Sequence, residues 1–361
     1  MNVMTIDLNQ LLVLREKGAL LVDARTPAEF AEATIPGAIN VPIFSNDERA
    51  EVGTLYKQVG KSQARIRGVE LVAPKIPELL ATIRAAYEGR SGPVIVFCWR
   101  GGMRSKALTA FLELAGLPAR QLTGGHKGFR RRVLDDLTAG YRGRILVLRG
   151  MTGVGKTLIL TQLAKEGYPV IDLEGLANHR GSAFGGLGLP DQPGQKCFEA
   201  LLREELLKHQ NSEYILVEGE SRHIGRLQLP PVLFAAMQKE TSIWIHASLD
   251  FRVRCILDDY PAINQARLPF ERPIRALKER LGNEKVAGLL DLLHNGTWDA
   301  LVRELMVNYY DPLYQHTCPK NRIEVEVEPF DQGIAGVKAA IEQILAQPAP
   351  ESAEPTKKES A

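Results

Sequence analysis

Eight consecutive residues, Gly150-Met151-Thr152-Gly153-Val154-Gly155-Lys156-Thr157, constrain this chain more than any others. They follow the apolar run Ile145-Leu146-Val147-Leu148-Arg149 and precede a helical pattern from Leu158 to Lys165. Strand, glycine-rich turn and helix in that order make a phosphate-binding loop. The glycines Gly150, Gly153 and Gly155 expose backbone N–H groups to phosphate oxygens, and the helix adds its positive N-terminus. Lys156 supplies a point charge and Thr157 can ligate Mg²⁺. Such a unit requires a parallel sheet covered by helices, so the expected class is α/β, with its site at the strand C-terminal ends. The runs Tyr168 to Leu173, Tyr214 to Glu218 and Ser242 to His246 supply neighbouring strands. Glu218, in Val217-Glu218-Gly219-Glu220-Ser221, is the candidate acid for the metal's water shell.

A second anion-holding loop lies upstream. Cys98-Trp99-Arg100-Gly101-Gly102-Met103-Arg104-Ser105 follows the apolar Pro93-Val94-Ile95-Val96-Phe97 and enters a helix ending near Leu114. A loop of that kind lowers a thiol pKa and cradles an anion on, or approaching, the sulfur. Cys98 is therefore the candidate nucleophile, with Arg100 and Arg104 as anion holders. Cysteine, five residues, arginine and serine also satisfy the cysteine-phosphatase pattern, although Phe97 replaces its usual histidine and Trp99 is bulky for that cradle. On this loop alone, sulfur transfer and phosphate-ester hydrolysis both stay open.

The rest of the chain reads as two α/β domains, residues 1–138 and 139–346, with a disordered tail at 347–361. Ala19 to Asp23 is a buried strand, and Thr26 caps a helix with Pro27 at its first position and Glu29 three residues on. Ser45 to Arg67 reads as a polar loop with helical pieces, and Ile76 to Tyr87 as a helix. Arg120-Gln121-Leu122 is a short strand before a second glycine turn, Thr123-Gly124-Gly125-His126-Lys127. Asp172 to Gly186 is a long loop whose His179, Arg180 and Ser182 are candidate anion contacts. Residues 251–310 form a helical insertion with a basic first half, read equally as an RNA-facing surface, a lid over the phosphate-binding loop, or solvated helix faces.

With a formal net charge of +2, nucleic-acid binding must rest on a local patch. Arg130, Arg131 and Arg132 with Arg142 and Arg144 are the candidates. Four scattered cysteines without a Cys-x-x-Cys pair argue against a zinc site or disulfide framework and fit a reducing compartment. The first ten residues do not read as a signal peptide, and no apolar run approaches membrane-spanning length. A cytoplasmic monomer, away from membranes, is expected.

Asp23-Ala24-Arg25, Pro36-Gly37-Ala38-Ile39-Asn40, the Cys98 loop and Gly124-Gly125-His126-Lys127 lie in the order and spacing of a rhodanese domain, which the first third of the chain resembles. Thr34 departs from the histidine that many rhodaneses carry before the Ile-Pro-Gly turn. With the phosphate-binding loop behind it, the whole chain except the tail resembles the tRNA 2-selenouridine synthases. The resemblance implies selenium replacing sulfur in the 2-thiouridine at a tRNA wobble position. It implies selenophosphate as selenium donor and prior geranylation of the thiocarbonyl by geranyl diphosphate, with no tightly bound cofactor. Cys98 would carry selenium as S-selanylcysteine, while Lys156 and its loop would hold the diphosphate. Two alternatives remain at this level: an ATP-dependent kinase or ATPase with an accessory rhodanese, and a non-catalytic sulfur-carrier or RNA-binding module.

Overall fold

The computed structural model describes residues 3–260, 268–315 and 318–349. Part of the helical insertion, 261–267, and most of the tail, 350–361, lie outside the described residues. The strands, in chain order, are β1 Thr5–Ile6, β2 Leu20–Asp23, β3 Ile39–Asn40, β4 Val94–Phe97, β5 Ala119–Leu122, β6 Arg144–Gly150, β7 Val170–Ile171, β8 Tyr214–Glu218, β9 His223–Ile224, β10 Leu227–Gln228, β11 Ser242–His246 and β12 Arg322–Glu326. The chain folds into two compact units, Met1–Asp136 with Gly194–Arg203, and Leu137–Pro193 with Glu204–Ala361. The short segment Gly194–Arg203, the start of the helix Gln195–Lys208, thus belongs with the first unit, although it lies well inside the stretch whose sequence reads as the second domain.

The first unit is built on a five-stranded sheet of order β1-β5-β4-β2-β3, parallel throughout. β2 and β4 are buried along their whole length, as expected of apolar runs covered on both faces. Their side chains pack with Ile83, Leu108 and Leu112 from the covering helices. Thr26 caps the helix Pro27–Glu32 and Glu29 reaches back to it, the capping box read from the sequence. The stretch expected as a loop with helical pieces is instead a pair of helices, Asn46–Gln58 and Lys61–Val72. Ser45 and Glu48 close a capping box at its start, while the first helix buries no residue and so shows little apolar period.

The second unit carries a five-stranded parallel sheet of order β12-β11-β6-β8-β7, with β6 at its centre. Leu146, Leu148, Ile159 and Leu163 join Ile334, Val337 and Ile341 of the closing helix Phe330–Leu345 in one core. β9 and β10 form a small antiparallel ribbon. The helical insertion has its own core of Phe270, Ile274, Leu289, Leu293, Leu301 and Leu305. No described helix is long and apolar enough to cross a membrane, and all four cysteines are free thiols.

Candidate functional site

Cys98 follows directly on β4, and its loop turns immediately into the helix Met103–Leu114. The residue is 3 % exposed, and its sulfur accepts the Gly102 N–H at 3.2 Å and lies 3.2 Å from the Ser105 hydroxyl. The Gly102 N–H thus points at the sulfur, and the Ser105 hydroxyl also lies 3.2 Å from the Gly102 carbonyl. Gln121 on β5 braces the loop by donating to the Gly101 carbonyl at 2.8 Å and the Ser105 hydroxyl at 2.9 Å. The second glycine turn closes against it: His126 and Lys127 donate their N–H groups to the Cys98 and Trp99 carbonyls at 2.9 and 2.8 Å. Only glycine fits at Gly125, where a Cβ would fall 2.2 Å from the Cys98 carbonyl oxygen.

The two arginines of this loop differ. Arg100 is exposed, with no side-chain partner among the described residues. Arg104 instead forms a bidentate pair with Glu29, at 2.6 and 3.2 Å, which lowers the Glu29 pKa despite the opposing effect of burial. An anion at Cys98 would have to compete with Glu29 for it. The Asp23-Ala24-Arg25 motif is structural. Buried Arg25 pairs with buried Asp23 at 2.6 Å, and Thr34 donates its hydroxyl to the same carboxylate at 2.8 Å. The threonine thus serves as a neutral donor to this buried pair.

His126 is the residue that motif reading left without a role. It is 3 % exposed, stacked against Trp99 with ring centroids 5.7 Å apart, and its Nδ1 has no partner. Burial, then the charges of Arg25, Lys196 and Arg130, pushes its pKa down to about 3, so the ring is neutral.

In the second unit, Gly155 caps the helix Lys156–Lys165 in the left-handed region, and Gly153 has φ of 80°. A Cβ at Gly153 would meet the Arg252 carbonyl at 2.6 Å. Lys156 curls over the loop to within 3.3 Å of the Gly150 carbonyl and 3.4 Å of that of Met151. The Thr157 hydroxyl lies 3.4 Å from Glu174. Glu218 does not line the cavity into which this loop opens. It is fully buried, accepts the Leu173 N–H at 3.0 Å, and its pKa is raised well above the usual range by burial and by Asp172 and Glu174. Glu220, two residues on, lines that cavity instead, hydrogen-bonded to Glu174, whose pKa burial and Glu220 push up to about 8. Glu218, the expected metal-side acid, ends β8 and lines a neighbouring recess together with Thr157, while Glu174 and Glu220 line the cavity itself. Among the described residues no three histidine, cysteine or carboxylate side chains could hold a metal ion. A Mg²⁺ here would rest on Thr157 and its ligand's phosphate oxygens, retaining water as that ion does.

The phosphate-binding loop opens into a cavity of about 630 Å³. At one end stand Gly150, Gly153, Gly155, Lys156 and Thr157. The rest of its wall is mixed: aromatic and aliphatic side chains, among them Phe184, Phe270, Trp298 and Leu301, stand with polar ones such as Arg222, Gln238 and Asp259. The insertion therefore covers the loop with its apolar faces, favouring the lid among the expected readings. Arg180 and Ser182 also line this cavity, whereas His179 does not. The Arg180 guanidinium lies 4.4 Å from the centre of the Tyr260 ring and donates to the Asp259 and Leu187 carbonyls. His179 accepts the Gly181 N–H at 3.1 Å, shaping the loop.

Of the arginines expected at tRNA, three are tied up in ion pairs. Arg130 pairs with Glu199, Arg132 with Asp136 at 2.8 Å, and Arg144 with Glu240 at 2.7 and 2.9 Å. Arg144 is mostly buried and also donates to the Gln347 carbonyl, so its expected role at RNA is corrected to a structural one. Arg131 and Arg142 stay exposed, without side-chain partners among the described residues.

Comparison with known proteins finds matches to both domains. Residues 143–344 match the family model described as tRNA 2-selenouridine synthase AAA domain, and residues 7–132 match that of the rhodanese-like domain. The tRNA 2-selenouridine synthase of Nitrosomonas europaea is 33% identical over 348 residues, covering 84% of this chain and 90% of that protein. Its namesake from Pseudomonas syringae pv. syringae is 36% identical over 340 residues, covering 85% and 90%. A rhodanese-type cysteine loop, a phosphate-binding loop and relatives matched over nearly their whole length place this chain in the tRNA 2-selenouridine synthase family.

Proposed function

We propose that this protein converts a tRNA 2-thiouridine to 2-selenouridine in two steps, each run by one of its two loops. The observation that carries the reading is the cavity of the second unit, a phosphate cradle continuous with a partly aromatic and aliphatic chamber. That pairing suits an isoprenyl diphosphate such as geranyl diphosphate: the diphosphate on Gly150 to Thr157, the hydrocarbon among Phe270, Trp298 and Leu301. The thiocarbonyl sulfur attacks C1 of the isoprenyl chain, the carbon–oxygen bond breaks, and its electron pair leaves with diphosphate. The Lys156 charge and the loop N–H groups stabilise that departing anion. The base loses its N3 proton as the S-geranyl group forms.

Selenophosphate is then held at the Cys98 loop, beside the Gly102 N–H and the Ser105 hydroxyl. Its selenium attacks C2 and expels the geranylthio group, which takes a proton and leaves as thiogeraniol. Water then breaks the selenium–phosphorus bond, releasing phosphate and leaving 2-selenouridine with its N3 proton restored. Arg100 and, once released from Glu29, Arg104 are placed in sequence to meet the selenophosphate anion. The tRNA backbone falls to exposed cations such as Arg131 and Arg142. The test is to incubate the full chain with thiolated tRNA, geranyl diphosphate and selenophosphate, then digest the tRNA and weigh its nucleosides. S-geranyl and seleno nucleosides are expected. Absence of both beside active controls contradicts the proposal.

A further inference from the structure

We propose that Trp99 is the platform on which the S-geranylated uridine lies while selenophosphate held at the Cys98 loop attacks its C2 and displaces the geranylthio group, an inference that rests on the function proposed above. Cys98 is 3 % exposed, so an acceptor base must be held at its loop rather than meet a projecting nucleophile. The next residue is a tryptophan left 39 % exposed, unlike Trp244, which is buried in β11. Its place is fixed from both sides. The ring stacks on His126, and its backbone carbonyl accepts the Lys127 N–H at 2.8 Å. His126, itself packed against Phe129, backs the indole as a neutral aromatic surface.

The chemistry of the base matches the flank of this ring. A 2-thiouridine carries an N3–H donor between two acceptors. S-alkylation removes that proton, leaving N3 and O4 as acceptors only. Arg100 and Lys127, exposed in the unit's two glycine loops, are donors only, without side-chain partners among the described residues. Stacking on an exposed aromatic, with cations for the edge and neighbouring phosphates, is how proteins hold an unstacked base. The platform therefore favours the geranylated intermediate over the starting thiouridine.

The experiment gives the full-length protein a tRNA anticodon stem-loop already carrying S-geranyl-2-thiouridine, with selenophosphate, and follows the seleno nucleoside by mass spectrometry. Trp99→Ala should lower kcat/KM by about 10- to 100-fold, the loss of one base stack, mostly through KM. Trp99→Phe should restore most of it. Binding of selenophosphate, followed by its phosphorus NMR signal on titration with protein, should not change in either variant, and neither should geranylation of thiolated tRNA. Full activity in Trp99→Ala overturns the proposal. So does an equal loss in Trp99→Phe, or a loss of selenophosphate binding, which would make the ring a support of the loop. A wild-type chain that forms no seleno product overturns the function beneath it, a result distinct from a Trp99→Ala defect on a working enzyme.

Discussion

His126 takes up no proton until about pH 3 in the folded chain, whereas its ordinary value is 6.5. Between those values the unfolded chain binds a proton that the folded chain refuses, so stability falls as pH drops below 6.5 and is fully present above it. Where that difference is complete, the slope reaches about 1.4 kcal/mol per pH unit from this one ring. Urea unfolding at pH 7 and pH 5 should show that loss in the wild type and a shallower one in His126→Phe; equal slopes would contradict the buried neutral histidine. Neither its burial nor its stack on Trp99 is legible in the sequence, because both depend on the turn after β5 folding back onto the Cys98 loop. Cys98 and Lys156 are legible for the opposite reason: a strand, a glycine turn and a helix within about fifteen residues mark each as a side chain of an anion-holding loop. Glu218 and Glu220 lie between these cases. The strand that ends at Glu218 is buried without alternation, so no period in the sequence says which of the two carboxylates lines the cavity of the phosphate-binding loop. The partners of Arg130 and Arg144 are 69 and 96 residues away, beyond any local pattern.

One buried side chain ties the helices of the insertion to the phosphate-binding loop. Arg252, on the helix Leu249–Asp259, is 3 % exposed and donates to the Thr152 carbonyl of the phosphate-binding loop at 2.8 Å. Its remaining nitrogens grip Asp311, at 3.0 and 2.5 Å, where the helix Asp311–Gln315 begins. Just before it, Met306–Tyr310 is wound as a π-helix, a form frequent at functional sites, and brings Tyr309 and Tyr310 to the cavity. Truncating Arg252 leaves a carboxylate and a loop carbonyl unmatched. Arg252→Ala should therefore cost about 3–5 kcal/mol of stability, measured by chemical denaturation. At a temperature where it stays folded, its KM for geranyl diphosphate should rise more than its kcat falls. An unchanged KM would separate the insertion from ligand binding. Spacing in the sequence marks these helices as helices, yet leaves open what they face. Their charged residues are as consistent with RNA as with water, and only packing shows the apolar side turned inward.

Across the whole molecule, two parallel sheets each present one anion-holding loop at the carboxyl end of an inner strand, β4 in one unit and β6 in the other. That repeat is legible because both loops carry their glycines in sequence. The division of the chain is only partly so, since the helix Gln195–Lys208 begins in one unit and ends in the other. In the proposed reaction these loops carry out different steps on one uridine: carbon–sulfur bond formation over Lys156, then selenium delivery at the Cys98 loop. The most direct test compares Cys98→Ser and Lys156→Ala on thiolated tRNA with both co-substrates, weighing the nucleosides released. Cys98→Ser should accumulate S-geranyl-2-thiouridine at the wild-type rate and form no seleno product. Lys156→Ala should slow geranylation by at least about tenfold, the loss of one transition-state charge contact, yet still convert tRNA geranylated beforehand. Loss of both steps in Cys98→Ser would contradict the division of labour.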